Sequence, residues 1–156
     1  MQPSFADQTL ACLACKLIAE RYAPEFVAWC LDLPTDQAGQ VVVEKTDLPA
    51  HPIGTDAVLL LPDRQLLVHV EFQVAYSPDL PARMWDCYLR LRKHYSEDIR
   101  IRQFLIVLTE RGGSAEAAYR QGEIFHGYSL IEIWRLEGRA LLKREVTIPF
   151  AVLGKW

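Results

Sequence analysis

The stretch TDAVLLLPDRQLLVHVEFQ, residues 55–73, determines the fold that this sequence predicts. It contains two apolar runs joined by the polar segment 62–65 (PDRQ), whose composition is typical of a turn. The first run, 57–61, is continuously apolar, as in a strand buried on both faces, whereas the second run alternates between two faces. The stretch therefore predicts a β-hairpin.

The turn length fixes the register of this hairpin, since a loop consisting of residues 62–65 pairs Leu61 with Leu66. Counting outward along the ladder then places Asp56 opposite Glu71. Directly opposed like charges are unfavourable, because their Cβ atoms lie about 4.5–5.5 Å apart. A shared proton or a divalent cation with oxygen ligands would neutralise the two carboxylates, and we favour a metal site. A loop of different length would instead shift the register and turn one acid toward solvent.

Length and composition predict a single domain covering residues 1–156. The chain is 51% hydrophobic and 24% charged, and a chain of this size buries about two-thirds of its unfolded surface. No apolar run approaches the roughly 18 residues that span a bilayer, and the N-terminus lacks the basic start of a signal peptide, so we expect a cytoplasmic protein with no membrane partner. The four cysteines are expected to be small buried or half-buried thiols in a reducing compartment.

The net charge of −3 argues against a protein that coats nucleic acid by bulk electrostatics. Residues 83–102 differ, with six arginines and lysines against three acids and a local charge of +3. Within them a helix is predicted over 82–95, and Arg83, Arg90 and Lys93 share its polar face. This face is either a solvated surface whose ion pairs contribute about 0.2–0.5 kcal/mol each, or a surface that contacts DNA phosphates beside the hairpin.

The remaining segments predict helices and strands around the hairpin. Their order is helix 7–22, helix 25–33, strand 41–46, irregular segment 48–54, the hairpin, helix 82–95, strand 104–109, short helix 114–121, strand 128–136 and an ambiguous segment 139–156. This order predicts an α/β fold with a mixed β-sheet flanked by helices. Glu20, at the margin of the first helix's apolar stripe, and Glu44, in the first strand, are each either a solvent-facing acid or a third acid of the metal site.

The order of elements and the placement of the acids resemble the PD-(D/E)XK nuclease superfamily, whose restriction-endonuclease-like core has the order αβββαβ. Over roughly residues 8–153 the chain is more closely similar to the recombination-promoting nuclease and transposase family. The hairpin stretch, DLPARMWDCYLRLRKHY at 79–95, FLIVLT at 104–109 and SLIEIWRL at 129–136 carry this similarity. The resemblance implies a metal-dependent DNA endonuclease associated with recombination or transposition.

The resemblance also implies roles for individual residues. Asp56 and Glu71 would be catalytic ligands of Mg²⁺ or Mn²⁺, with the backbone carbonyl of Phe72 as a further ligand. Glu20 would correspond to a helix carboxylate found in many members. Gln73 stands where the superfamily normally has a lysine, and its amide forms hydrogen bonds but carries no charge for transition-state stabilisation.

Other side chains are then expected to supply that charge and to support the ligands. Arg83 or Arg90 would provide the missing positive charge, and His69 is expected to be a packed, supporting imidazole rather than a ligand or general base. A homodimer would suit the cutting of two DNA strands. The alternative function is a catalytically degenerate relative that binds DNA or a protein partner, which Gln73 and the acidic net charge favour.

Overall fold

A computed structural model describes residues 4–45 and 56–156 of the chain. Its helices are α1 (Phe5–Arg21), α2 (Ala23–Cys30), α3 (Leu80–His94) and α4 (Gly138–Leu141). Its strands are β1 (Val42–Glu44), β2 (Asp56–Leu61), β3 (Leu66–Gln73), β4 (Arg100–Val107), β5 (Ala118–Gln121), β6 (Ile124–Gly127) and β7 (Ser129–Glu132). Turns of 3₁₀ helix cover Pro62–Arg64, Ile133–Arg135 and Glu145–Leu153.

Five of the strands form one mixed sheet in the order β1-β2-β3-β4-β7. The pairs β1–β2 and β2–β3 are antiparallel, whereas β3–β4 and β4–β7 are parallel. Helix α3 connects β3 to β4, because two parallel strands need a crossover rather than a tight turn. The predicted α/β class, with a mixed sheet flanked by helices, is confirmed, and α2 is an additional helix within the αβββαβ order.

The hairpin at the centre of the sheet has the predicted register. Pro62–Arg64 form a single 3₁₀ turn, and Gln65 adopts a left-handed conformation, with φ of +48°, to return the chain into β3. Asp56 therefore lies directly opposite Glu71. The loop length read from the sequence was sufficient to pair the two acids.

Strand β3 divides its side chains between two hydrophobic layers. One face carries Leu66, Val68, Val70 and Phe72, which belong to the larger core with residues of α1 and α2. The other face lies under α3, where Leu67 packs against Leu91. His69 and Glu71 belong to this second face and are buried with it. The polar residues of the candidate site are thus enclosed between the sheet and α3.

Helix boundaries follow capping and proline signals. α1 begins at Phe5, earlier than predicted, because the Ser4 hydroxyl accepts from the Asp7 N–H at 3.2 Å while the Asp7 carboxylate accepts from the Ser4 N–H at 3.0 Å. α2 and α3 each carry a proline, Pro24 and Pro81, in their first turn, where the missing N–H is not needed. None of the helices in the described part of the chain has the length and apolar composition of a membrane span.

Two predictions for the second half of the chain were wrong, and one segment that was left open is now assigned. Segment 114–121 is not a helix, because its last four residues form β5, which pairs with β6 in a separate hairpin. The packing of Tyr119 against Trp85, with ring centroids 6.4 Å apart, overrides the helical preference of its alanines. The strand predicted over 128–136 ends at Glu132, and the ambiguous segment 139–156 contains α4 and a 3₁₀ helix.

The bounds of two other predicted strands also change. The first strand is Val42–Glu44 rather than 41–46; residue 46 and the predicted irregular segment 48–54 lie outside the described residues. β4 begins at Arg100, four residues before the predicted strand, because its polar first half pairs with the beginning of β3.

Candidate metal centre

Three ionisable side chains meet under α3, at the open end of the hairpin. They are Asp56 on β2 and His69 and Glu71 on β3, and one ligand atom from each lies within 4.8 Å of the other two. Their side chains are 10%, 0% and 3% exposed, respectively. Carboxylates removed from water to this extent need compensating charges or hydrogen bonds.

The hydrogen bonding of β3 explains the closeness of the two acids. The Leu108 N–H donates to the carbonyl of Gln73 at 2.9 Å, and the direction of backbone groups alternates along a strand, so odd-numbered residues of β3 face β4. Glu71 and Asp56 are therefore a non-hydrogen-bonded pair, the type with Cα atoms about 4.5 Å apart. By the same alternation, the carbonyl of Phe72 faces the side of the hairpin on which Asp56 lies.

Two donors converge on the Glu71 carboxylate. The Gln73 amide donates to Oε1 at 2.8 Å, and the Arg83 guanidinium donates to the same oxygen at 3.1 Å. Arg83 reaches the site from the first turns of α3 and also lies 3.9 Å from the Asp79 carboxylate. The structure therefore brings together Asp56, Glu71, Gln73 and Arg83, four of the residues that the sequence singled out.

A chain of hydrogen bonds leads from Asp56 through the α3 layer. His69 Nε2 lies 3.2 Å from Asp56 Oδ2, and His69 Nδ1 lies 3.0 Å from Gln103 Nε2. The same amide nitrogen donates to the backbone carbonyl of Met84 at 2.9 Å, while Gln103 Oε1 lies 2.5 Å from His126 Nε2. Gln103 is buried and pairs directly with His69 across β3 and β4.

The sequence predicted no role for Gln103 and His126, which form the far end of this series of hydrogen bonds. Gln103 precedes a fully apolar run in β4, and a polar residue there is a signal for a specific partner, but the register of a parallel pair cannot be counted through a helical crossover. His126 lies in β6, in a stretch for which the sequence predicted no helix or strand. Burial lowers the pKa of His126, which favours the neutral ring beside the Gln103 carbonyl.

Glu20 lies outside this group, contrary to the role that the resemblance implied. Its carboxylate pairs with Lys16 one helical turn away, at 3.6 Å. The part of α1 that approaches the site contains Cys12, whose pKa is raised to about 11 by burial first and by the charge of Glu71 to a smaller extent. Glu20 follows Cys12 by eight residues, which is about 12 Å along a helix, so it belongs to the other end of α1.

The other charged residues named by the sequence occupy the surroundings of the site. Arg90 pairs with Asp86 on the surface of α3 at 3.1 Å, and Lys93 is exposed further along the same helix. Glu44 pairs with Val58 across β1 and β2. Burial raises the pKa of Tyr95, and the negative charge of Glu44 raises it further. Arg90 and Lys93 thus add positive charge to α3, and Glu44 is not part of the cluster of Asp56, His69 and Glu71.

Comparison of the chain with protein-family models, with curated proteins and with solved structures gives no match. Function therefore has to be inferred from the chemistry of the cluster. Asp56, Glu71 and the carbonyl of Phe72 offer hard oxygen donors, the ligands preferred by Mg²⁺ and Mn²⁺. Asp56 and Glu71 are buried side by side, an arrangement that a divalent cation would neutralise, so such a cation fits the donor set.

Proposed function

We propose that this chain is a metal-dependent DNA endonuclease that hydrolyses phosphodiester bonds with Mg²⁺ or Mn²⁺. The observation that carries the proposal is the convergence of Asp56 and Glu71 as a buried, directly opposed pair beside a basic helix. Both carboxylates and the carbonyl of Phe72 would hold the cation. When bound, such a cation polarises a phosphate and lowers the pKa of a water molecule for in-line attack.

The protein's own side chains would orient the substrate around this centre. Arg83 is about one-third exposed, so its guanidinium can bind a phosphate oxygen at the mouth of the site while still contacting Glu71. Gln73 donates one amide N–H to Glu71 and carries a second N–H for water or phosphate. Arg83 would thus supply the positive charge that Gln73 lacks.

DNA contact would extend along α3 from this site. Arg90 and Lys93 lie on the same helix as Arg83, toward its C-terminus. Side chains of this kind bind phosphates without reading sequence, so they would position the duplex rather than select it. The association with recombination or transposition is supported by the family resemblance alone, and a homodimer stays a prediction.

Cleavage of supercoiled plasmid tests the proposal directly. We expect the wild-type protein to nick the plasmid in Mg²⁺ or Mn²⁺, and Asp56→Asn and Glu71→Gln each to reduce the rate at least about 100-fold, because a neutral amide is a poor ligand for a hard cation. Asp86→Asn, which removes an exposed acid of α3, is the matched control and should nick normally. Equal nicking by all four proteins would point to a contaminating nuclease and contradict the proposal.

Cation binding is tested separately by thermal unfolding with Mg²⁺, Mn²⁺ or Ca²⁺. A ligand that binds only the folded state stabilises it by about 2.7 kcal/mol at 100 times its dissociation constant. We expect the melting temperature of the wild type to rise with cation concentration and that of Asp56→Asn to stay constant. A rise of equal size in both proteins would place the cation elsewhere.

The second candidate is a degenerate relative that binds DNA without cutting it. The observation that favours it is the contact of Arg83 and Gln73 with the same Glu71 oxygen, which compensates this acid without a cation. This candidate predicts that Asp56→Asn retains full DNA affinity in a metal-free gel-shift experiment, whereas Arg83→Glu and Arg90→Glu lose it. Plasmid nicking that depends on Asp56 would eliminate this candidate.

A further inference from the structure

We propose that Gln103 is a positioning residue that holds His69 as the neutral Nε2–H tautomer, so that His69 orients the Asp56 carboxylate and neither ligates a cation nor acts as a base. The role of Asp56 as a ligand rests on the proposed function. The tautomer of His69 does not, since it follows from four hydrogen-bond contacts among the protein's own groups.

The orientation of the Gln103 amide is fixed at two points. The backbone carbonyl of Met84 only accepts hydrogen bonds, so the group 2.9 Å from it must be the amide nitrogen. The amide oxygen then faces His126 Nε2 at 2.5 Å and accepts from it. Both ends of the amide are matched by partners of the correct type.

The amide orientation determines which ring nitrogen of His69 carries the proton. The nitrogen of Gln103 has two hydrogens, one directed to Met84 and the other to His69 Nδ1 at 3.0 Å. Nδ1 must therefore accept, which leaves the proton of the neutral ring on Nε2. Nε2 donates to Asp56 Oδ2 across 3.2 Å.

The opposite arrangement would place two hydrogen-bond acceptors in contact at Met84. Rotating the amide by 180° would put its oxygen against the Met84 carbonyl and its nitrogen against His126. Gln103 is only 4% exposed and His69 is fully buried, so water could not satisfy the separated groups. An unsatisfied buried polar group costs about 1–3 kcal/mol.

This tautomer separates His69 from the metal chemistry. A ring nitrogen that carries a proton has no lone pair for a cation, so coordination through Nε2 would require a proton on Nδ1, facing the Gln103 donor. A carboxylate held through one oxygen presents the other in a defined direction, which is how hydrogen-bonded neighbours tune metal ligands. Gln103 thus acts on Asp56 through His69.

Long-range ¹H–¹⁵N NMR of the metal-free protein tests the tautomer, since protonated and unprotonated ring nitrogens differ in chemical shift. The chain contains four histidines, and His69→Gln identifies the signals of His69. We expect a protonated Nε2 and an unprotonated Nδ1 in the wild type, and a protonated Nδ1 in Gln103→Glu, whose carboxylate can only accept. A protonated Nδ1 in the wild type overturns the inference, whether or not the variant folds.

Mn²⁺ affinity tests the positioning role. Glutamine at position 69 can place an amide N–H near the former Nε2, whereas leucine cannot donate. We expect His69→Gln to bind Mn²⁺ within about threefold of the wild type and His69→Leu to bind about 10–100-fold more weakly. Equal losses, or a directly coordinated ¹⁴N in electron spin echo spectra of bound Mn²⁺, would overturn the role. If the wild type binds no Mn²⁺, the proposed function fails, and the NMR result still decides the tautomer.

Discussion

Arg83 compensates a carboxylate that is almost completely removed from water. The Glu71 side chain is 3% exposed, and its ion pair with Arg83 spans 3.1 Å. Partial exposure of the guanidinium weakens the pair relative to a fully buried one. Because the acid cannot relax into solvent, it depends on this partner more than a surface acid would.

Replacement of Arg83 should therefore affect stability and metal binding in opposite directions. We expect Arg83→Gln to lower the free energy of unfolding by about 1–3 kcal/mol, since Glu71 loses a charged donor. The same substitution should tighten Mn²⁺ binding, because the site becomes more negative. Urea denaturation and calorimetric titration measure the two quantities.

Arg90→Gln is the matched control for this pair of measurements. Arg90 and its partner Asp86 are 34% and 51% exposed, and surface pairs of this kind contribute about 0–1 kcal/mol. Little change in stability or Mn²⁺ affinity is expected. Equal effects of the two substitutions would show that Glu71 has no special dependence on Arg83.

His126, on the β5–β6 hairpin, makes the free energy of unfolding depend on pH. Burial lowers the pKa of His126 in the folded protein, whereas an unfolded histidine titrates at about 6.5. Between the lowered folded pKa and about pH 6.5, the unfolded chain binds a proton at this histidine and the folded protein does not. The stability that the neutral His126 contributes is therefore fully present above about pH 6.5 and is lost as the pH falls toward the lowered pKa of the folded protein.

Urea denaturation between pH 5 and 7.5 tests this pH dependence of stability. We expect the stability difference between the wild type and His126→Gln to change across this range, with the wild type losing more as the pH falls. His94→Gln, at an exposed position near the end of α3, should parallel the wild type. Parallel curves for His126→Gln and the wild type would contradict the assignment.

Local and non-local pairings explain which elements the sequence could predict. The register of β2 and β3 follows from a loop of four residues, so Asp56 and Glu71 could be paired by counting. The pairing of His69 with Gln103 spans 34 residues and a helix, and no local pattern specifies it. The two alternatives for Glu20 could not be separated from the sequence, because periodicity gives the direction of a side chain around a helix but not which end of the helix approaches the site.

Packing against other elements determined the structure of the segments that were predicted incorrectly. β5 and β6 meet α3 through aromatic contacts, with Tyr88 and His126 ring centroids 4.6 Å apart. Such contacts join residues far apart in sequence and outweigh helix propensities, which differ by less than about 1 kcal/mol per residue. The α/β class was predictable, because it depends on the order of apolar patterns rather than on individual contacts.

Over the whole molecule, the reactivity of the four cysteines indicates whether the two hydrophobic layers are intact. All four are free thiols, and burial raises the pKa of Cys12 to about 11 and those of Cys15 and Cys87 to about 12. Burial also raises the pKa of Cys30. The prediction of buried or half-buried thiols is confirmed, since Cys12, Cys15 and Cys87 are buried and Cys30 is partly buried.

Thiol labelling should therefore follow unfolding of the chain. At pH 8 the native protein is expected to react slowly with a disulfide reagent at every cysteine, because thiolate is the reactive species and little of it forms. In concentrated denaturant all four thiols should react rapidly. Fast labelling of a single cysteine in the native protein would reveal local opening of the layer that contains it.

The crossover through α3 also determines the order in which the candidate site is assembled during folding. Asp56 and Glu71 are joined by a short hairpin, a unit that closes in about 1–10 μs. Met84 and Gln103 reach them only after the loop entropy of the long β3–β4 connection has been overcome. The two carboxylates thus meet before α3 brings Arg83, the cationic partner of Glu71, into place, so a cation that neutralised them early would accelerate folding as well as stabilise the finished protein.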